Sequence, residues 1–579
     1  MIVGTIMLAT FLLGLLGANF HPVQAQLSRA APEGPSGQAT QPAAPVRSQM
    51  VVAAHPLAAR AARQMLRDGG TAIDALVAAQ MVLNLVEPQS SGIGGGGFLL
   101  YWDANRQQLI TLDGRETAPA AAGPDRFLND DGTPIRWPDA VGTGRSIGVP
   151  GIVPMLEAAH GEYGRIEWGQ LFAPAIDLAS NGFGVSPRLN LLLTGMGPDA
   201  FNEEGRNYFF DETGEARALG EVLKNPALAL TFKQIAARGH IALGSGPIAK
   251  SIIAAASEPG VATININDLR DYETIARPPV CLTYRGYSIC GMGPPSSGGM
   301  TVGAILGLLE ASDLGDQPNA AAIHLIIEAE KLAYADRNRY MADSDFVDVP
   351  AGLLDPDYLA ERALAIDPAQ TMGRAEPGTP PELAAMPGRD HSGENPGTSH
   401  ISIIDQFGNA ASLTTTIESA FGSRRMVSGF LLNNELTDFS FRPVDDDGRP
   451  VANRVEGGKR PRSSMSPTMV FDADGKLWAV LGSPGGSRII LYVVKALVAM
   501  IDWNMEPQTA SALGTFGSRN GPAELERGAD MDRFASELEA LGHEIARPSM
   551  TSGLHIIRVT PDGLLGGVDP RREGAAIGD

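Results

Sequence analysis

The stretch Asn395 to Ser423, "NPGTSHISIIDQFGNAASLTTTIESAFGS", sets two β-prone runs about a polar turn. Ser399 to Ile404 is rich in β-formers, Asp405 to Asn409 supplies turn residues, and a second run ends at Thr416, so the stretch reads as a hairpin. If the turn is centred near Phe407, residues equally distant from it pair, and Thr398 faces Thr416. A hydroxyl at the head of a strand, just after Gly397, with a second hydroxyl across the ladder, is what an N-terminal nucleophile needs once the bond before it is cut. The freed α-amine then serves as general base. Threonines also favour strands for packing reasons alone, so the rest of the chain has to decide.

The chain has 579 residues, which predicts two domains or one large layered domain. Its 68 glycines point to many tight turns or close backbone approaches. With 45 basic and 66 acidic residues the formal charge is −21, which argues against nucleic acid or an anionic membrane surface as partner. The opening "MIVGTIMLATFLLGLLG" is unbroken apolar sequence, and "VQA" ending at Ala25 suits a signal peptidase, so residues 1–25 read as an export signal to the periplasm or beyond. Its n-region has no Lys or Arg, which keeps an uncleaved membrane tether as the second reading. Residues 26–49 are rich in Pro, Ala, Ser and Gln and read as a disordered leader. No later run is long and apolar enough to span a bilayer, so no membrane contact is expected of the mature form. The two cysteines flank "CLTYRGYSIC"; with Arg285-Gly286 as the turn, Cys281 and Cys290 fall opposite each other and predict a structural disulfide.

Several patterns fail on context. Residues 58–86 read as two helices broken at Gly69-Gly70, followed by "SSGIGGGGFLLYW". A phosphate cradle runs strand, loop, helix and carries a Lys; here the order is helix, loop, strand without one, so the glycines are read as permitting a close backbone approach. "GRSIG" around Ser146 fits a nucleophile elbow, yet no apolar strand precedes it and Pro150-Gly151 delays the helix. His324 and Glu328 lie one helical turn apart with no third ligand nearby in sequence, which favours a polar pair over a metal site. "RPRSSMSPTMVFDADGKLWAVLGSPGGSRII" gives two strands about a turn at Asp472 to Gly475, then Gly485 and Gly486, whose backbone N–H groups can converge on an oxyanion. Helices flanking two groups of hairpin strands predict an α+β layered sandwich.

"GTSHISIID", "GFLLNNELTDFS", "RPRSSMSPT" and "GSPGGSR", with "SSGIGGGGFLL", "LDGRETAP", "GVPG" and "PPSSGGM" earlier, resemble in order the signature runs of the γ-glutamyltranspeptidases from about Met50 to Arg571. The resemblance implies a four-layer αββα N-terminal-nucleophile hydrolase, made as one precursor that cuts itself between Gly397 and Thr398. A large subunit (50–397) and a small subunit (398–579) would share one fold. It implies that Thr398 attacks the γ-carbonyl of glutathione or another γ-glutamyl amide, that Thr416 orients it, and that Gly485 and Gly486 bind the oxyanion. Arg115 would take the α-carboxylate with Ser463 and Ser464, and Glu435 and Asp438 the α-ammonium. Water, or an amino acid or peptide amine, would receive the acyl group, and no metal or organic cofactor is required.

Two departures stand out. Where members with well-defined transpeptidase activity usually carry Asn, this chain has Glu418; three carboxylates about one ammonium repel, which predicts that one holds a proton. The stretch Phe439 to Arg462, which forms a lid in many members, is short and lacks Tyr, which predicts hydrolysis over transfer. The alternatives are a glutaryl or cephalosporin-acylase-like amidase on the same fold, and an exported binding protein without catalysis.

Overall fold

A computed structural model of the full chain describes residues 45–381, 383, 385–390, 392 and 397–579. The export signal, most of the leader and Pro396 lie outside them. Val46 bridges to Leu564 and Gln49 is buried, so ordered structure begins within the stretch read as leader.

The chain enters through β1 (Met50–Ala53), helices α1 (Pro56–Arg67) and α2 (Ala72–Val86), and strands β2 (Gly96–Asp103) and β3 (Gln108–Gly114). After a helical region come β4 (Ile275–Arg277), the hairpin β5 (Val280–Tyr284) and β6 (Tyr287–Gly291), and helices α3 (Gly298–Leu309) and α4 (Ala320–Tyr340). Then follow β7 (Ser399–Ile404), β8 (Ala410–Thr416), β9 (Thr468–Phe471), β10 (Leu477–Gly482) and helix α5 (Ile489–Ile501). Strands β11 (His555–Thr560), β12 (Gly563–Val568) and β13 (Ala575–Gly578) close the chain.

Two sheets result. The seven-stranded one has the order β13-β1-β7-β8-β2-β3-β4 and the six-stranded one β12-β11-β10-β9-β6-β5. Alternation along the central strands shows the layering. Val51, Ala53, Ile401 and Ile403 pack with α1 and α2 in one core; Met50, Val52 and Ile404 pack with the second sheet and with α3, α4 and α5 in another. Because successive side chains point to opposite faces, a strand such as β7, buried throughout, must serve both cores at once. The layers stack as an αββα sandwich.

The hairpin has the expected register, with Ala410 opposite Ile404 and Thr415 opposite Ser399. Its turn is held by Asp405, whose Oδ1 accepts from the N–H groups of Phe407 and Asn409. Asp405 Oδ2 accepts from Ala72 N at the start of α2, where unpaired N–H groups favour an anion. A local turn signal thereby also fixes the hairpin against the outer helices. Cys281 faces Cys290 across the β5–β6 hairpin and the two are joined, S–S 2.05 Å, with Arg285 and Gly286 both at positive φ in the turn. No helix among the described residues is long and apolar enough to cross a membrane.

Candidate active site

The sandwich carries Thr398 and Thr416 to one end of the central strands. Thr398 immediately precedes β7, Thr416 ends β8, and both are 3% exposed. The hydroxyl of Thr416 donates to the Gly397 carbonyl at 2.6 Å and accepts from the N–H of Glu418 at 2.8 Å. In the uncut chain it therefore polarises the carbonyl of the peptide bond before Thr398. The glycine-rich loop supplies the close approach expected of it: a β-carbon on Gly96 would lie 2.5 Å from Glu116 Oε2, and one on Gly95 2.0 Å from the Thr416 carbonyl.

Around this point a cleft of about 20 Å³ is lined by Arg115, Gly397, Thr398, Thr416, Glu418 and, opposite them, Glu435, Asp438, Ser463, Ser464 and Gly486. That is room for about one water. Larger cavities lie elsewhere, one of about 260 Å³ between Trp137 and Phe441 and one of about 440 Å³ beside Tyr272. The fold thus gathers nearly all the candidate residues, drawn from positions more than 300 apart in sequence. Gly485 stands one residue behind the cleft, against the Tyr492 ring. Gly485 and Gly486 cap and open a 3₁₀ turn that runs into α5, where leading N–H groups lack partners within the turn.

Glu435 and Asp438 sit on a single 3₁₀ turn, whose three-residue period stacks them on one face. Both already have a cation. Arg115 NH1 pairs with Glu435, while NH2 donates to Asp438 at 2.6 Å and to the Arg462 carbonyl at 3.0 Å; Nε donates to the Pro461 carbonyl at 3.2 Å. Burial opposes the Arg115 charge, yet Glu435, Asp438 and Glu116 outweigh it and raise its pKa. The arginine expected to meet the substrate's carboxylate and the acids expected to meet its ammonium hold one another in the substrate-free chain.

Glu116 was missed in the sequence, although it stands next to Arg115. It is fully buried, 3.9 Å from Arg115 NH1, and burial above all pushes its pKa up to about 8. Burial, set partly against Arg115 but reinforced by Glu116, pushes Glu435 well above the ordinary range. Burial, then Asp438 and Glu435, do the same to Glu418. The residues behind the serines were also missed: Arg337 donates to Ser464 Oγ at 2.5 Å and to Ser297 Oγ at 2.8 Å, and Ser297 Oγ donates to the Ser463 carbonyl at 2.7 Å. The signal was present in "PPSSGGM", whose serines bind the "RPRSSMSPT" loop.

Two other motifs resolve differently. Ser146 is fully buried and donates to the carbonyls of Val141 and Thr143, which leaves no exposed nucleophile. His324 and Glu328 do gain a third potential ligand, which corrects the sequence reading: His543 folds in from 219 residues away, its Nε2 2.7 Å from His324 Nδ1. Glu328 already takes the Lys331 ammonium at 2.9 Å, so the cluster satisfies its own charge.

The family profile described as Gamma-glutamyltranspeptidase matches residues 58–579. The glutathione hydrolase proenzyme of Bacillus subtilis (strain 168) is 36% identical over 545 residues, covering 91% of each chain. The Acylase ACY 1 proenzyme of Pseudomonas sp. (strain V22) is 34% identical over 529 residues, covering 90% of this chain and 91% of its own. Among solved structures, cephalosporin acylase from Bacillus halodurans matches with a TM-score of 0.82 at 25% identity, covering 93% of this chain and 97% of that one. Fold and relatives together define an N-terminal-nucleophile hydrolase. Within that class the chain belongs to the gamma-glutamyltranspeptidase family.

Proposed function

We propose that the chain is a zymogen that cuts itself between Gly397 and Thr398, and that the mature enzyme hydrolyses γ-glutamyl amides such as glutathione through Thr398. One observation carries this reading: the Thr416 hydroxyl, held by the Glu418 N–H, donates to the carbonyl of the bond to be cut. Thr398 Oγ attacks that carbon, the C–N bond breaks as the C–O bond forms, and the nitrogen takes up the hydroxyl proton and leaves as the new α-amine of Thr398. Water then hydrolyses the ester and frees the Gly397 carboxylate. The scarcity of space in the intact cleft fits a site that opens only after cleavage.

In the mature enzyme the Thr398 amine takes the hydroxyl proton as Oγ attacks the γ-carbonyl, and returns it to the departing amine. Gly485 and Gly486 offer N–H groups to the oxyanion. The glutamyl end, a zwitterion, fits by exchange: its carboxylate takes the Arg115 fork and its ammonium takes Glu435 and Asp438. Ion pairs inside the protein are replaced by equivalent ones to substrate, so no buried charge is left unmatched. Ser463 and Ser464 add hydroxyl donors. The Phe439 to Arg462 stretch, without Tyr and packed through Phe441 on Phe127 with centroids 4.2 Å apart, favours water over an amine acceptor. The mature form is exported, as a heterodimer of the two pieces.

The structural likeness to a cephalosporin acylase favours a second reading, an amidase for glutaryl groups. A glutaryl group lacks the amine that Glu435 and Asp438 are placed to meet. A panel of γ-glutamyl and glutaryl anilides decides: the proposal expects turnover of the first and little of the second, and the reverse order refutes it. A product mixture dominated by transfer at millimolar acceptor dipeptide would overturn the preference for hydrolysis.

A further inference from the structure

Arg339, near the end of α4, is only 6% exposed, and neither its Nε nor its Nη1 has a hydrogen-bond partner among the described residues. An arginine does not shed its charge, so an unmatched guanidinium inside a protein calls for an anion from outside it. Burial, then Arg449 and Arg389, push its pKa down, as a cation among cations requires. Ala335, Asn338 and Arg339 form one face of α4 and, together with Arg374 and Arg389, line a pocket of about 70 Å³. That is room for a few waters or one carboxylate.

The acids of the pocket do not match this charge. Asp390 pairs with Arg462 at 3.1 Å and accepts from Ser392, while Glu376 meets Arg389 at 3.3 Å with both side chains exposed. Exposed pairs contribute little, so Arg389 can exchange its partner at small cost. Its backbone is fixed, since its N–H donates to Asp445 Oδ2 at 3.1 Å and Gly388 bridges to Val451. Arg449 is spent on Asp445 and Asp447.

The pocket is tied to the catalytic cleft twice. Asn338 Oδ1 accepts from Arg337 Nη1 at 2.7 Å, and the same guanidinium donates to Ser464 Oγ of the cleft. Arg389 also lines the cavity of about 260 Å³ between Trp137 and Phe441, whose Thr437 and Phe439 flank Asp438. When the acyl half of a γ-glutamyl peptide fills the cleft, its amine half must run outward, over about 7 Å for an extended dipeptide. We propose that Arg339, Arg374 and Arg389 form an anion subsite that takes the C-terminal carboxylate of this amine half. The inference rests on the γ-glutamyl reading above and narrows it: the preferred substrates are γ-glutamyl peptides with a free C-terminus.

The test compares the processed wild type, Arg339→Met and Arg389→Met in hydrolysis of γ-glutamyl-alanyl-glycine, of its C-terminal amide and of γ-glutamyl anilide. The anilide has no carboxylate on its amine side and reports whether each variant has folded and matured. The wild type is expected to favour the acid over the amide by about tenfold in kcat/KM, carried by KM, as one charge-assisted hydrogen bond would give. Each variant is expected to bring that ratio toward one, and Arg339→Lys to restore part of it. Arg389 is exposed, so its variant decides the matter should Arg339→Met fail to mature. Equal kcat/KM for acid and amide in the wild type, or a preference that survives both substitutions, overturns the inference and leaves the γ-glutamyl reading intact. Hydrolysis of none of the three by the processed wild type refutes both together. Titration with inorganic phosphate tells the substrate's carboxylate from a free anion: calorimetric binding that Arg339→Met abolishes, without any preference for the acid, would give the pocket to a separate ligand and overturn its assignment to substrate.

Discussion

A β-carbon on Gly397 would lie 1.7 Å from the Glu418 carbonyl oxygen, a clash between backbones that no rotamer relieves. Gly397→Ala is therefore expected to abolish self-cleavage even with Thr398 intact, read as a single band on a denaturing gel. Removing the donor that polarises the Gly397 carbonyl acts more gently. Thr416→Ala is expected to slow cleavage by about 10²–10³, the range for loss of one oxyanion donor, with Thr416→Ser restoring most of it. An unchanged rate in Thr416→Ala would show that this hydrogen bond is incidental. At this scale the sequence displayed residue types but not pairings. Arg115 and Glu435 lie 320 residues apart, and nothing in either neighbourhood says that they form an ion pair before substrate arrives. The crowding of acids about Glu418 was legible, because motif order placed Glu435 and Asp438 beside it; Glu116 was not, since adjacency in a chain does not reveal burial.

Hairpins were the most legible elements. In β7–β8 and β5–β6 the register follows from the turn residues and a side-chain period of two, both local properties. The His324–Glu328–His543 cluster shows the opposite case: an i, i+4 pair is visible on a helix, but its third member arrives through tertiary packing alone. The β5–β6 hairpin edges the second sheet and closes a nine-residue separation with its disulfide. In the chain-entropy account a loop of that size contributes about 2.5 kcal/mol. Replacing both Cys281 and Cys290 by Ala should lower unfolding stability by about that amount while leaving kcat unchanged, because the hairpin contributes no residue to the cleft. A large fall in kcat at constant folded fraction would contradict that separation of roles.

Across the whole molecule, the proposed cut leaves no piece able to stand alone. Strand β1 lies between β13 and β7, so a strand of the large piece is hydrogen-bonded on both sides to strands of the small one. The C-terminal Asp579 also pairs with Arg63 and Arg67 of α1. The cleaved enzyme should elute as one species without denaturant and as two fragments in it. Acid should weaken it. Burial lowers His55, His543 and His555 to about 4, and holds His400 well below its ordinary value. At these four histidines the unfolded chain binds more protons than the folded one between about pH 6.5 and about pH 4, while at Glu116, Glu418 and Glu435, which burial raises, the folded chain binds more. The histidines' contribution to stability is expected to be complete above that window and to fall as pH falls through it, measurable as the pH dependence of urea unfolding at fixed ionic strength that a His543→Asn variant loses in part.

The most direct test of the central claim is denaturing intact mass of the purified protein beside its Thr398→Ala variant. Self-cleavage predicts two wild-type fragments, one beginning at Thr398, and a variant that stays whole. A wild type that stays whole under conditions that allow maturation, or a Thr398→Ala chain that is cut at the same bond, would contradict the assignment of Thr398 as the nucleophile.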